Sequence, residues 1–278
     1  MRKLIYIIVS LIITVSCNTS KKNNYNNKSE GLRIVSLAPS ITKELVDIDM
    51  LENIVGVTSY CNISTSNEDL VIGSATNVNV EKILLLKPDM VFATGLTTKS
   101  NINTLRKNGV AVYEVPKLKS FDDICKHFKE LGNLVGKAEK AELIIEQSKH
   151  KIDSLKKKIP ITEKKPKVFI QIGAKPLFTV IPNTFMNDYI TFANSENIAA
   201  DLTKGTITRE SVLKRNPDVI FIVTMGIVGN EEKETWEKYS ELSAIKNKKI
   251  FIIDSNVACT PTVLSFTETF ENIIDKIY

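Results

Sequence analysis

One segment of this chain occurs twice. Residues 79–91 read NVEKILLLKPDMV and residues 208–220 read TRESVLKRNPDVI. Each copy opens on a capping residue, Asn79 or Thr208. Two positions on comes a glutamate, Glu81 or Glu210. An apolar pair follows, Ile83-Leu84 or Val212-Leu213, then Pro88-Asp89 or Pro217-Asp218, then an apolar run. Local chemistry gives each part a purpose. Asn or Thr accepts a hydrogen bond from an otherwise unmatched N–H at a helix start. A glutamate in the first turn faces the positive end of the helix dipole. Proline cannot continue the helix, and Asp turns the chain into a strand. The same helix–turn–strand unit in both parts of the chain predicts two matched halves.

The remaining pattern agrees. Strands are expected at Arg33–Leu37, Ile54–Thr58, Met90–Ala93, Val110–Val115, Val168–Ile172, Val219–Val223 and Ile250–Ile253. Helical segments lie between them: after Pro39 to about Ile48, Val80–Leu86, Lys99–Asn108 closed by Gly109, and Ser120 to about Leu134 with Ser120 and Asp123 forming a capping-box-like start. Further helices cover about Thr184–Ala193, the residues after Thr208, and Val263–Ile277. Short strands alternating with helices mean βαβ units and largely parallel sheets. From Lys137 to Ile159 no Gly or Pro interrupts a helical pattern, about 35 Å if continuous. The expected fold class is α/β: an N-terminal lobe (32–134), a connecting helix (135–160) and a C-terminal lobe (161–278).

The first residues, MRKLIYIIVSLIITVSC, carry Arg2 and Lys3, an apolar run from Leu4 to Val15, and small Ser16 before Cys17. This reads as a secretory signal over 1–17, too short for a membrane span. Ser16-Cys17 resembles a bacterial lipobox, whose cysteine is lipidated. The usual Leu three positions before the cysteine is Thr14 here. Residues 18–31 are polar and Asn- and Lys-rich, as in a flexible tether. The net charge of +5 is concentrated in this region. Of 37 cations and 32 anions, five cations and one anion precede residue 31, which leaves 32 against 31. A nearly neutral body argues against a nucleic-acid partner.

Ligands of parallel α/β sheets sit outside the carboxyl ends of strands. That places Ser36, Pro39, Ser59, Tyr60, Gly95, Lys175, Met225 and Cys259 along a cleft between the lobes. Tyr60 offers an aromatic face to a flat ligand. Lys175 is either a partner for an anionic ligand, a chelate or a carboxylate, or a solvated loop residue. Trp236 is a second cleft wall or a core residue. Cys61 and Cys259 are two ordinary loop cysteines, a disulfide across the cleft or a metal-ligating pair. The two histidines, His127 and His150, fall on helices away from the cleft, so no bare-metal site is expected. No GxSxG, HExxH, Walker or GxGxxG motif occurs. The chain is therefore read as a non-enzyme with no cofactor of its own.

The opening RIVSLAPSIT, VGVTSY, the two Glu–Pro–Asp units, and LSAIKN before IFIID together resemble the helical-backbone periplasmic binding proteins over residues 32–278. That family binds cobalamin, ferric siderophores and haem for ABC importers. The resemblance implies a lipid-anchored, monomeric solute receptor in the cell envelope, facing the periplasm or the exterior. Its partner would be a permease dimer with ATPase subunits. Glu81 and Glu210 would dock onto permease arginines, and the loop holding Tyr60 would touch the metal chelate. Any iron or cobalt would belong to that ligand. Where many relatives carry an arginine-containing Pro-Gly-Pro stretch, this chain has Ala258-Cys259-Thr260-Pro261-Thr262. The alternatives are a lipid-anchored α/β enzyme and a surface lipoprotein that binds only other proteins.

Overall fold

The computed structural model describes residues 31–61, 63, 68–224 and 229–278. The signal segment, Cys17, most of the tether and Met225 lie outside the described residues.

The chain runs β1 (Ile34–Ser36), α1 (Pro39–Asp47), β2 (Ile54–Val57), α2 (Val80–Leu85), β3 (Met90–Ala93), α3 (Lys99–Lys107), β4 (Ala111–Glu114), α4 (Phe121–Leu134) and α5 (Ala138–Lys157). These four strands pair in the order β2-β1-β3-β4, all parallel. There follow β5 (Lys167–Ala174), β6 (Leu177–Thr179), α6 (Phe185–Phe192), β7 (Glu196–Asn197), α7 (Arg209–Arg215), β8 (Val219–Val223), α8 (Gly229–Glu237), α9 (Ser243–Lys246), β9 (Ile250–Ile253), α10 (Ser255–Ala258) and α11 (Val263–Ile277). The second sheet has the order β6-β5-β8-β9. Its strands β5, β8 and β9 are parallel, β7 pairs with β5, and β6 is antiparallel.

The repeated segment folds the same way twice. Asn79 Oδ1 accepts from the Lys82 N–H at 2.9 Å, and Thr208 Oγ1 accepts from the Ser211 N–H at 3.2 Å. Lys87 and Asn216, each just before the proline, take left-handed φ values of 46° and 45°. Asp89 Oδ2 accepts from the Arg33 N–H at 2.8 Å, and Asp218 Oδ2 accepts from the Lys167 N–H at 2.9 Å. Each Asp N–H in turn donates to the carbonyl of that same residue. The repeated aspartate thus clips the entry of its sheet's first strand to the strand that ends the repeat.

Alternation along the strands divides the apolar residues between faces. Val35, Leu37, Val91 and Ala93 join one cluster on the outer face of the first sheet. Phe169, Ile220, Ile222 and Trp236 form another on the outer face of the second. The inward residues Ile34, Met90 and Phe92 of the first sheet share a single core with Val168, Ile170, Phe221 and Val223 of the second. α4, α5 and α11 supply the filling, and α5 packs on both α4 and α11. Gly132 of α4 permits that approach, since a Cβ there would lie 2.6 Å from the Ala141 Cβ. An aromatic stack crosses the same junction. Phe266 of α11 lies 4.5 Å from Phe121 of α4 and 4.5 Å from Tyr189 of α6, centroid to centroid.

Two expectations change. The connecting helix is slightly shorter than its apolar pattern. β5 does not stop at Ile172, before Gly173, but runs to Ala174 and doubles back through a cis Lys175–Pro176 bond into β6. Gly173 lies against the returning strand, where a Cβ would come within 3.2 Å of the Phe178 Cβ.

Candidate functional site

A helix that feeds a parallel strand runs antiparallel to it, so its N-terminus lies at the strand's carboxyl end. Segments of the two halves meet across the molecule, and one of these contacts joins segments that leave strand carboxyl ends. Lys43 Nζ of α1, which follows β1, donates to the Asn256 carbonyl of α10, which follows β9, at 2.8 Å. The Phe121 N–H at the start of α4 donates to Asp188 Oδ2 of α6 at 2.8 Å. Segments that follow β1 and β9 therefore meet at the junction of the two halves, and the residues at the strands' carboxyl ends are the candidates to line a groove there.

The residues predicted to line it are placed unequally. Tyr60, just beyond β2, is 72% exposed, and Ser59 beside it is exposed. Gly95 and Leu96 form an exposed tip after β3, and Pro39 is half-buried at the first position of α1. Lys175 stands exposed at the β5–β6 turn. Cys259 is partly buried, and burial pushes its thiol up to about 11, which keeps it neutral at physiological pH. Ser36 is a correction. It has no exposed surface, and its hydroxyl donates to the Ala38 carbonyl at 3.1 Å and accepts from Thr42 Oγ1 at 2.8 Å. It braces the β1–α1 turn rather than offering a group to the groove.

Cys61 is also buried, with its Sγ 3.2 Å from Thr42 Oγ1 and 3.3 Å from Thr58 Oγ1, and it is not joined to Cys259. Trp236 is fully buried in the outer cluster of the second sheet and is no part of the groove. Sequence reasoning missed Phe178. It lies on β6 at the carboxyl end of β5, partly exposed, with its ring edge 3.0 Å from where a Cβ on Gly205 would sit. The signal was a three-residue strand too short for its alternation to register.

Glu81 and Glu210 occupy matching places. Each is the second residue of its helix, α2 or α7, and each is exposed. Both helices precede a parallel strand, β3 or β8, so their starts lie toward that strand's carboxyl end. Bonds from its own N–H and from the Thr208 hydroxyl hold the Glu210 carboxyl below the usual range.

Two charged clusters are buried behind this rim. Glu44 of α1 and His127 of α4 meet at 2.9 Å, both buried, with the Tyr113 ring stacked on His127 at 6.0 Å. Burial raises the Glu44 carboxyl, against the pull of His127. For His127, the Glu44 charge and hydrogen bond outweigh the lowering effect of burial and raise it. In the other half, Glu232 Oε2 accepts from Gln171 Nε2 at 2.8 Å and from Arg209 at 2.6 Å. The Arg209 guanidinium lies 4.6 Å above the Trp236 ring, and Trp236 Nε1 donates to Gln171 Oε1 at 2.7 Å. Burial works to raise the Glu232 carboxyl. The Gln171 and Arg209 bonds and the charges of Arg209 and Lys175 overcome it and hold the carboxyl below the ordinary range. Among the described residues no group of three or more His, Cys, Asp or Glu is placed to hold a metal ion, and no helix is long and apolar enough to cross a membrane.

Residues 34–257 match the family model described as periplasmic binding protein. The chain belongs to that family. Among relatives of this periplasmic binding protein is an uncharacterized ABC transporter substrate-binding lipoprotein, YvrC, of Bacillus subtilis. It is 28% identical over 276 residues, covering 96% of this chain and 86% of that one. A vitamin B12-binding protein of Yersinia pestis is 29% identical over 195 residues, covering 68% and 69%. A crystal structure of a possible iron-binding (periplasmic solute-binding) protein from Staphylococcus epidermidis aligns with a TM-score of 0.75 at 29% identity, over 88% of this chain and 98% of that one. The two-lobed α/β architecture expected from the repeat is the architecture of the family.

Proposed function

We propose that this periplasmic binding protein is the solute-capturing subunit of an ABC importer, lipidated at Cys17 and tethered to the membrane through residues 18–31. It takes a metal chelate (a corrinoid, ferric siderophore or haem) into the groove between its lobes and delivers it to the permease. One observation carries the reading: two exposed carboxylates, Glu81 and Glu210, stand at equivalent helix starts in the two halves, and Tyr60 is exposed just beyond β2. The names of the B12-binding and iron-binding relatives support the ligand class.

In this mechanism the chain performs no bond chemistry. Tyr60, Leu96 and Phe178 offer apolar and aromatic surface to a flat ligand. Ser59, Gly95 and Pro39 border it, Lys175 supplies a cation for a ligand carboxylate, and Cys259 contributes a partly buried, neutral thiol. Ser36 supports the loop beneath. The shared core through α4, α5 and α11 restrains the lobes, so capture involves modest movement. Docking through both glutamates then presents the groove to the permease, and the partner ATPase hydrolyses nucleotide.

The test is an absorbance titration of the soluble body with cyanocobalamin, haemin and several ferric siderophores. A saturable one-to-one spectral change with one class is expected. Absence of binding to every class would overturn the chelate-receptor reading in favour of a lipoprotein that contacts only other proteins. Turnover of an added compound would overturn it in favour of an enzyme.

A further inference from the structure

The docking helix of the second half carries the wrong charge for its proposed task. α7 reads RESVLKR, three cations against the one carboxylate of Glu210. Its counterpart α2 reads VEKILL, one cation against one carboxylate. A corner meant to meet permease arginines would repel them if Arg209, Lys214 and Arg215 were all presented. The tertiary structure pairs off two of the three. Arg215 is held by Asp201 in a two-pronged ion pair. Arg209, immediately before Glu210, is turned inward onto Glu232, its guanidinium over Trp236 and only about a quarter of its side chain exposed. Its Nη1 is buried and has no hydrogen-bond partner among the described residues. An arginine accepts that cost only when something holds it in place, and the holder is the Glu232 carboxylate, itself fixed by Gln171.

We propose that Glu232 acts as a charge-masking residue for docking: it sequesters the Arg209 guanidinium so that Glu210 is the charge the C-terminal lobe shows to a cationic permease. This rests on the docking reading above. Glu232 touches neither permease nor ligand in this role; it positions Arg209. Released, the guanidinium would stand one residue from Glu210, compete for its carboxylate and oppose the permease arginines. The first half needs no such device, because the residue before Glu81 is Val80.

The two partners therefore have unequal variants, which a merely structural ion pair does not predict. Docking of the ligand-free protein to its permease–ATPase complex in nanodiscs is measured by biolayer interferometry at low and high salt. Glu232→Gln, which frees the cation, is expected to weaken docking on the order of tenfold at low salt, within the range for coupled neighbours. The loss should shrink at about 0.5 M salt, where charges are screened within a few ångströms. Arg209→Met alone should dock as well as the unaltered protein or better. The double variant Arg209→Met/Glu232→Gln should dock at least tenfold better than Glu232→Gln, because the freed cation is gone. Near-ultraviolet circular dichroism of each variant reports the fold around Trp236. A double variant as weak as Glu232→Gln, or a Glu232→Gln that docks normally, overturns the masking role while leaving the docking reading intact. If Glu210→Ala itself docks normally, the docking reading fails and the masking role falls with it.

Discussion

Replacing Phe266 with alanine tests whether the two lobes share one core. Phe266 is fully buried on α11, stacked at 4.5 Å on both Phe121 and Tyr189 and edge-on to Phe192 at 5.9 Å. Its partners come from α4 at the end of the first half and α6 in the second. Truncating a buried Phe to Ala costs about 3–5 kcal/mol, through lost transfer energy and the cavity left behind. Three aromatic neighbours place this site toward the upper part of that range. A domain's total stability is about 5–15 kcal/mol, so the loss is a large fraction of it. At a urea m-value of about 2–3 kcal/mol/M the midpoint should fall by about 1.3–2.5 M.

The assay is urea unfolding followed by far-ultraviolet circular dichroism and by fluorescence. The only tryptophan, Trp236, sits in the outer cluster of the second sheet, which Phe266 does not join. If the inward faces of both sheets form one cooperative core, the two signals fall together in the Phe266→Ala protein. A tryptophan midpoint left in place while part of the dichroism is lost earlier would refute the shared core, and with it the argument that the lobes move little.

Other outcomes follow from the same structure. Glu81→Ala combined with Glu210→Ala should leave ligand affinity within about twofold, since both carboxylates are exposed at helix starts. It should lower docking by about 100-fold at low salt if each interfacial charge pair contributes about 1.5 kcal/mol; uptake at the normal rate would sink the docking assignment. Gly132→Ala forces a Cβ to within 2.6 Å of the Ala141 Cβ and should cost about 1–3 kcal/mol in denaturant unfolding; an unchanged midpoint would show that α4 and α5 separate at no cost. Stability should also decline with rising pH. Glu44 and His127 are both raised in the folded protein, and burial lifts Asp47 to about 6. The folded state then binds more protons than the unfolded chain once pH passes the unfolded carboxylate range, about 4–4.5, and through the unfolded histidine value near 6.5. The melting temperature should fall from pH 5 to pH 8, and the double variant Glu44→Gln/His127→Gln, which removes both members of the buried pair, should flatten most of that decline. A melting temperature that rises across that window would contradict the proton linkage.

Much of the molecule was legible in the linear chain because its signals are local. Caps, the Pro–Asp turn, the terminating Gly109 and the period-two strands each act within a few residues, and the repeat made them visible twice. Glu81 and Glu210 could be singled out because the repeat sets them at matching positions, and Tyr60 because it follows the carboxyl end of a strand. The β5–β6 hairpin was hidden, because Gly173 looks like a strand end until the returning strand explains it. Trp236 was ambiguous because a lone aromatic on a polar helix has no periodic signature; its burial is settled by Phe169, Gln171 and Arg209, which reach it from other elements. Ser36 and Cys61 looked like loop-edge residues and proved buried against Thr42, a neighbour on α1.

The amino-acid order alone determined the two matched halves, the parallel sheets and the places of the repeated glutamates, since hydrogen-bond capping and side-chain alternation operate over short stretches of chain. Only the tertiary structure decided which charges are shown and which are hidden. Glu44 meets His127 across 83 positions and Glu232 meets Arg209 across 23. An ion pair is made by proximity in space, and packing alone sets that proximity.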